Sequence, residues 1–409
     1  MHKIERLLQT LAPKGVGFRK LGEVINILKG KQLNKELLLD YGKYPVMNGG
    51  IYASGYWNEY NTDYPKIIIS QGGASAGYVN YMTSKFWAGA HCYTIELNSE
   101  KLNYKFLYYF LKNSQTILMK SQFGAGIPAL NKADIEALTI PIPPLEIQQE
   151  IVKILDAFTE LNTELNTELK ARKKQYQYYQ NMLLDFNDIN QSHKDAKEKL
   201  VQKPYPKRLK TLLHTLAPKG VGFRKLGEVL EYDQPNQYCV TSKEFDKSYP
   251  TPVLTAGKTF ILGYTNEKDN IYQASKNAPV IIFDDFTTAT QWVDFPFKVK
   301  SSAMKILFSK NPTINIRFIF FYMQTIPYNI GGEHARHWIS RYSQLEVPIP
   351  PLEIQQEIVK ILDQFSALTT DLLAGIPAEI KARKKQYEYY REKLLTFKPL
   401  TPHKEVKKG

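Results

Sequence analysis

The sequence predicts an α+β protein: two similar mixed α/β globular domains separated by two long antiparallel helices, a coiled-coil-like spacer, in an internal pseudo-two-fold repeat. Three observations predict it. PIPPLEIQQEIVKILD occurs twice without a change, at Pro141–Asp156 and Pro348–Asp363. LAPKGVGFRKLGEV stands ahead of each copy, at Leu11–Val24 and Leu216–Val229. KARKKQY follows each, at Lys170–Tyr176 and Lys381–Tyr387. A repeat of this length sets the domain plan before any local pattern is read.

His2–Leu11 carries Ile4, Leu7, Leu8 and Leu11 on one face. It reads as a short amphipathic helix that needs a packing partner. Arg208–Leu216 repeats the stripe with Leu209, Leu212, Leu213 and Leu216, and Pro-Lys-Gly ends both. The first variable segment runs from about Phe18 to Leu138. In it Tyr44–Gly50 reads as a strand ending in a glycine turn, Lys66–Ser70 (KIIIS) as a strand and Gln71–Gly77 as a small-residue loop. Tyr78–Met82 and His91–Leu97 read as strands, Tyr104–Lys120 as helix and Ser121–Pro128 as a second glycine loop.

The second variable segment, about Phe223 to Leu345, keeps this order. Thr251–Gly257 parallels the first turn, Gly263-Tyr264 parallels Gly55-Tyr56, and Pro279–Phe283 (PVIIF) parallels PKIII. Lys305–Phe308 reads as a strand and Ile316–Gln324 as the start of a helix. The loops change: QGGAS at Gln71–Ser75 becomes DDFTT at Asp284–Thr288, and SQFGAGIPAL becomes NIGGEHARHW at Asn329–Trp338. One scaffold with divergent loops suits two domains that read different targets. Drift after duplication gives the same pattern.

Pro143-Pro144 opens the first long helix, and Glu146 suits its positive end. Ile147, Ile151, Ile154, Leu155, Phe158, Leu161 and Leu165 form one apolar stripe that continues to about Leu184. Within it TELNTELNTEL, Thr159–Leu169, is a four-residue unit nearly three times over. Four residues turn a helix by about 400°, so one unit more or less keeps the face and changes length by about 6 Å. It reads as a length adjuster, or as replication slippage without purpose. Seventeen residues lie between Asp363 and Lys381 against thirteen between Asp156 and Lys170. In the longer stretch Gly375 and Pro377 predict a kink at 375–377. The plan is then 1–140, first domain with its helical start; 141–186, central helix; 187–222, linker and second start; 223–347, second domain; 348–398, carboxy-terminal helix; 399–409, basic tail.

Length and composition bound the function. At 409 residues and 43% hydrophobic, two or three packed domains are expected. A formal charge of +14 favours a polyanionic partner, nucleic acid or an acidic membrane face. Cys92 and Cys239 make neither a disulfide framework nor a four-thiolate zinc site. The amino terminus lacks the apolar core of a signal peptide and no run is apolar enough to span a membrane, so a cytoplasmic location is expected. Neither GxxxxGK[ST] nor a GxGxxG opening a helix occurs. His334 and His337 stand at i and i+3 without a matched third metal ligand. Asp284-Asp285 at a strand end resembles a nuclease carboxylate pair, but the first copy has Ser70-Gln71 there. As recognition residues they make sense: carboxylates accept from cytosine amines and a glutamine pairs with adenine. Lys170, Arg172, Lys173 and Lys174, with Lys381, Arg383, Lys384 and Lys385, read three ways: phosphate contacts, a partner-docking face or a solvated surface.

IPIPPLEIQQEIVKIL at Ile140–Leu155, its second copy at Val347–Leu362, ALNKADIEALTIPIPP at Ala129–Pro144, the YPVMNGG turn, the IIISQGG strand and the LGEV starts carry a resemblance. On them the chain resembles, over essentially its whole length, the specificity subunit of a type I restriction-modification enzyme. The TELN units are similar to the tandem repeats in the central helix of such subunits. The resemblance implies two target-recognition domains, about 18–140 and 223–347, each reading one half of a bipartite double-stranded DNA target across an unread spacer. It implies helical regions that dock two modification (adenine-N6 methyltransferase) subunits, joined by two restriction subunits. S-adenosylmethionine, ATP and Mg2+ are then expected on those partners, with no cofactor, catalytic group or metal on this chain. It also implies that the amino-terminal segment pairs with the carboxy-terminal helix in a nearly circular arrangement. The alternative is a two-headed protein-interaction or cell-surface scaffold without DNA specificity. Expected DNA contacts, chosen as polar or aromatic residues beside strand-end loops, are Asn48, Tyr52, Gln71, Ser75, Tyr78 and Lys85 in the first domain. In the second they are Thr255, Lys258, Asp285, Thr287, Gln291, His334 and Arg336.

Overall fold

The computed structural model describes residues 2–123, 128–186, 204–255, 259–327, 336–370 and 375–400. The chain forms two units, Met1–Asn166 with Glu379–Gly409, and Thr167–Ala378. Each holds a mixed α/β domain, and long helices connect the two domains.

The first unit opens with α1 (His2–Leu11), β1 (Gly17–Lys20), β2 (Ile25–Lys29), β3 (Tyr44–Met47), β4 (Gly55–Trp57), β5 (Lys66–Ser70), β6 (Val79–Met82), β7 (Trp87–Ala88) and β8 (Cys92–Leu97). It continues with α2 (Tyr104–Asn113), α3 (Gln115–Lys120), α4 (Lys132–Glu136), β9 (Thr139–Ile142) and α5 (Leu145–Leu184). An antiparallel sheet in the order β2-β8-β5-β6 lies beside a three-stranded sheet, β4-β3-β7, in which β3 and β7 are parallel. In β5, Ile67, Ile68 and Ile69 are all buried, as expected of an inner strand covered on both faces.

The two repeated marks meet in space. β1 is the GFRK of the first mark, β9 is the approach to the second, and they pair antiparallel with Phe18 opposite Pro141 and Arg19 opposite Ile140. The ladder has only two strands, so Pro141 sits where its missing N–H costs no inner hydrogen bond. α5 then buries Ile147, Ile151 and Leu155 completely. They share a core with Ile4, Leu394 and Leu395. Phe158 stacks on Tyr390 at 5.5 Å, so this part of α5 packs against the helix Ile376–Leu395. Val16 bridges Pro399, donating its N–H to Lys398 O at 3.0 Å.

The second unit repeats the elements: α6 (Lys207–Leu216), β10 (Gly222–Lys225), α7 (Leu226–Val229), β11 (Glu231–Asp233), β12 (Thr251–Leu254), β13 (Ile261–Thr265), β14 (Val280–Asp284), β15 (Thr290–Val293), β16 (Lys298–Val299) and β17 (Met304–Phe308). α8 (Ile316–Met323), β18 (Glu346–Ile349), α9 (Leu352–Thr370) and α10 (Ile376–Leu395) complete the chain. Its sheets run β11-β17-β14-β15 and β13-β12-β16, the latter with a parallel β12–β16 pair. β10 pairs β18 with Phe223 opposite Pro348, the register of the first unit. Ile354, Ile358 and Leu362 of α9 are fully buried in one core with Leu183 and Leu184 of α5, and Tyr179 stacks on Phe365 at 5.0 Å.

One buried side chain accounts for much of the junction in each unit. Gln148 accepts the Asn103 N–H at 2.7 Å and donates to Lys101 O at 2.9 Å and Pro143 O at 2.6 Å. Gln355 accepts the Asn315 N–H at 2.8 Å and donates to Thr313 O at 3.0 Å and Pro350 O at 2.7 Å. Asn103 and Asn315 in turn cap α2 and α8 through their side chains. The amide locks the long helix to the loop before the domain's own helix. Glu150 pairs with Lys3 and Glu357 with Arg208, tying α1 and α6 to the same helices.

The helix expected over Tyr104–Lys120 is two helices, broken at Ser114. The break lets Gln115 turn under β6, where its side chain accepts the Val79 N–H at 3.1 Å. Pro377 lies in the first turn of α10, where a missing N–H is free; 371–374 lie outside the described residues. So do most of the linker, 187–203, and the tail beyond Leu400. Among the described residues no helix is long and apolar enough to cross a membrane.

Candidate nucleic-acid interface

In the first unit four loop segments gather where β5 ends and β8 begins. Gln71 donates its N–H to His91 O at 2.8 Å, Leu130 donates to Gln71 O at 2.8 Å, and Gly73 donates to Pro128 O at 2.8 Å. Ser70 Oγ donates to Gly49 O, and the His91 N–H donates to Asn48 Oδ1 at 3.2 Å. Gly49 has φ +87°, and a Cβ there would stand 3.1 Å from Gly72 O, so the close approach of these loops needs a glycine. A Cβ on Gly77 (φ +88°) would stand 2.7 Å from the backbone of α3.

Asn48, Tyr52, Gln71 and Ser75 belong to this cluster. Tyr52 is 83% exposed, while the Asn48 side chain is engaged with the backbone of His91. Gln71 is partly buried, and its Oε1 is buried without a hydrogen bond. Tyr78 carries Lys112 Nζ over its ring at 4.0 Å. Lys85 lies elsewhere, beyond the far end of β6, donating to Tyr60 Oη at 2.6 Å and facing Asp63 at 3.4 Å. Exposed His91, between Asn48 and Gly72, was not among the expected residues. No pattern marks it, because it enters the cluster only through the pairing of β5 with β8.

The second unit builds the corresponding place from other chemistry. Asp284 accepts the N–H groups of Phe286 (2.9 Å) and Thr287 (3.2 Å) and the Thr287 hydroxyl (2.6 Å), closing the β14–β15 turn. Thr288 completes it at φ +56°. Asp285 is 1% exposed; its Oδ1 accepts the backbone N–H groups of His337 at 3.0 Å and Trp338 at 2.9 Å. The two carboxylates thus hold backbone. Thr287, Gln291 and Arg336 are exposed, and Phe286, which was not among the expected residues, is an exposed aromatic in the same turn as Thr287. Thr255 donates its N–H to Phe260 O at 2.9 Å at the end of β12. Lys258 and His334 lie outside the described residues, and His337 is buried. Among the described residues no group of three or more His, Cys, Asp or Glu is placed to hold a metal ion.

The basic helix segments match side chain for side chain. Arg172 faces Glu168 at 3.5 Å and donates to Gln175 at 3.1 Å; Arg383 donates to Glu379 at 3.2 Å and Gln386 at 3.2 Å. Lys170, Lys173, Lys174, Lys381, Lys384 and Lys385 are exposed. Tyr178 and Tyr389 point outward, whereas Tyr179 and Tyr390 stack inside the helical seams.

The two units thus share one buried frame, with β1–β9 and β10–β18 in one register, and carry different loops at the same strand ends. The family model for the type I restriction modification DNA specificity domain matches residues 13–175 and again 218–382. The chain is 30% identical over 420 aligned residues, 96% of its length and 98% of the relative's, to a putative type I restriction enzyme specificity subunit of Haemophilus influenzae. It is 55% identical over 183 residues to the EcoR124I/EcoR124II specificity subunit of Escherichia coli, a match covering 42% of this chain and 44% of that one. The structure is similar to that of a type I restriction-modification S subunit from M. genitalium, with a TM-score of 0.63 and 21% identity over 93% of this chain and 96% of the other. The chain belongs to the family of type I restriction-modification specificity subunits. It is a DNA-binding, non-catalytic subunit with a role in sequence-specific recognition.

Proposed function

We propose that this chain reads a bipartite DNA sequence, one half-site per unit, with the unread gap set by the helical segments. The observation that supports it most is a shared frame with exchanged contacts. β1–β9 and β10–β18 have one register, yet corresponding strand ends carry Ser70-Gln71 in one unit and Asp284-Asp285 in the other. The domains are about 18–140 and 223–347. Exposed Tyr52, Thr287, Gln291 and Arg336 are the best placed of the expected contacts to touch DNA; Asn48, Ser75 and Thr255 border them. Lys85 is a phosphate contact at most, given its distance along β6 from the loop cluster.

The partners follow from the same repetition. Glu146, Gln149 and Lys153 form an exposed stripe on α5, and Glu353, Gln356 and Lys360 form an identical one on α9. Identical stripes fit two copies of one partner, the modification subunits, which bind S-adenosylmethionine and methylate adenine N6. Restriction subunits supply ATP- and Mg2+-dependent cleavage. One TELN unit, about 6 Å of helix, corresponds to at most about 2 base pairs of gap at about 3.4 Å each.

The test maps methylated adenines in cells that express the modification subunit, with the gene intact, deleted, or lacking one TELN unit. One split motif should vanish on deletion, and its gap should shorten, with both half-sites unchanged, when the unit is removed. A methylation pattern indifferent to deletion would favour a scaffold that does not read DNA.

A further inference from the structure

In both units the first residue past the inner strand meets the second residue of its neighbour. Register sets the match: Ser70 lies opposite Cys92 and Ile69 opposite Tyr93, as Asp284 lies opposite Met304 and Phe283 opposite Lys305. Gln71 and Tyr93 therefore occupy in the first unit the place of Asp285 and Lys305 in the second. In the first, Tyr93 Oη donates to Leu130 O at 3.2 Å and Leu130 N–H donates to Gln71 O at 2.8 Å. In the second, Lys305 Nζ stands 3.5 Å from Asp285 Oδ2 and donates to Gln234 Oε1. His337 donates its N–H to Asp285 O at 2.9 Å, and Asp285 Oδ1 accepts from His337 and Trp338. In the second unit the side chains tie the turn after the inner strand to the loop that returns before the long helix; in the first, the Tyr93 hydroxyl and the Gln71 backbone carbonyl both hold Leu130 of that loop, and the Gln71 side chain hydrogen-bonds Tyr93. The charged pair is sealed, with Asp285 and Lys305 side chains 1% and 3% exposed. Exposed Arg336 is the next residue to the backbone that Asp285 holds.

We propose that Asp285 with Lys305, and Gln71 with Tyr93, are matched positioning pairs that fix the two loops of a unit against each other and so set half-site discrimination without touching DNA. The inference rests on the half-site reading above. It turns Asp285 and Gln71 from readers of bases into supports for the readers. A buried ion pair is a costly way to fasten a loop, and removing one partner strands the other. The neutral pair of the first unit should therefore serve in the second, but only when both members are exchanged.

The experiment measures binding of the specificity–modification complex to duplexes carrying the mapped target, and to duplexes with single changes in either half-site. Asp285→Ala should weaken cognate binding about tenfold or more and flatten discrimination at one half-site only. Asp285→Gln with Lys305→Tyr should return within about threefold of the parent, while either single exchange should not. If Asp285→Ala fails to fold, Asp285→Asn decides: a smaller loss confined to one half-site supports the proposal, and unchanged discrimination overturns it. A new base preference in Asp285→Asn, rather than a flattened one, would make Asp285 a direct reader and overturn it too. A parent complex that ignores changes in both half-sites would overturn the half-site reading and this inference with it.

Discussion

Gln148 and Gln355 sit in the same cage of backbone groups in both units, whereas Gln71 with Tyr93 and Asp285 with Lys305 share a place but no chemistry. The difference teaches where identity between the copies comes from. In the repeated PIPPLEIQQEIVKILD, the first, fifth and ninth residues of the helical stripe (Ile147, Ile151, Leu155) and Gln148 are buried to the last atom, and so are Ile354, Ile358, Leu362 and Gln355. Those positions are held alike by packing, and they say nothing about a partner. The outer stripe, Glu146, Gln149 and Lys153 with its twin, is identical while exposed, as are the lysines of the two KARKKQY segments, and packing within the unit does not account for them.

The largest effect should come from breaking the shared frame. Gln148→Leu and Gln355→Leu each remove three hydrogen bonds and leave a part-buried Asn N–H without its acceptor. Each should cost its unit about 2–4 kcal/mol. Hydrogen exchange under mild denaturant resolves the units, and costs that differ by more than about 1 kcal/mol would break the equivalence of the two cages.

A middle-sized effect sharpens a real difference. Lys112 is nine residues past the capping Asn103, and Gln324 is nine past Asn315. Lys112 Nζ donates to Val79 O at 2.7 Å and Gln115 Oε1 at 2.8 Å, and burial, with Arg391 nearby, lowers its pKa from the ordinary lysine value to about 8. The folded unit therefore holds fewer protons than the unfolded chain between about pH 8 and 10.5. The cost of burying the ammonium is full below pH 8 and is relieved as pH rises through that window. Lys112→Gln should remove this dependence, so the stability of the parent relative to the variant should climb between pH 8 and 10.5. Parallel stability curves would show that Lys112 is charged alike in both states.

The smallest effect tests a match that is visible but cheap. Glu150→Gln and Glu357→Gln lose their ion pairs to Lys3 and Arg208, whose side chains are 63% and 72% exposed. Each should shift stability by less than about 0.5 kcal/mol in thermal unfolding. A loss above about 1 kcal/mol in either would mean that the start helix is fastened more by charge than by its leucines.

Much of the frame was legible because it is local. The leucine stripe bounded α1 at His2–Leu11, the proline entry and the apolar stripe bounded α5 at Leu145–Leu184, and isoleucine runs marked β5 and β14. The pairing of the two repeated marks, β1 with β9 and β10 with β18, was not legible. Register across more than a hundred residues leaves no trace in periodicity. The break at Ser114 escaped for a similar reason: it serves a hydrogen bond to Val79 on another element. Among the expected contacts, depth was not legible: Asp285 is 1% exposed. Asp285 looks like a reader on chemistry alone, and only its contacts with His337 and Trp338 show that it faces inward.

The make-up of the first unit bears on synthesis. Thr167–Ala378 is one continuous stretch, whereas the first unit needs Glu379–Leu395 to cover Ile4, Ile147 and Leu155. On the ribosome the second unit has all its parts before the first does. Until Glu379–Leu395 are made, the first lacks its cover over Ile4, Ile147 and Leu155. Elongation at about 5–20 residues per second makes that wait on the order of ten seconds or more, long enough for chaperones to matter. The unit that begins first is therefore the one whose last packing element is synthesised later.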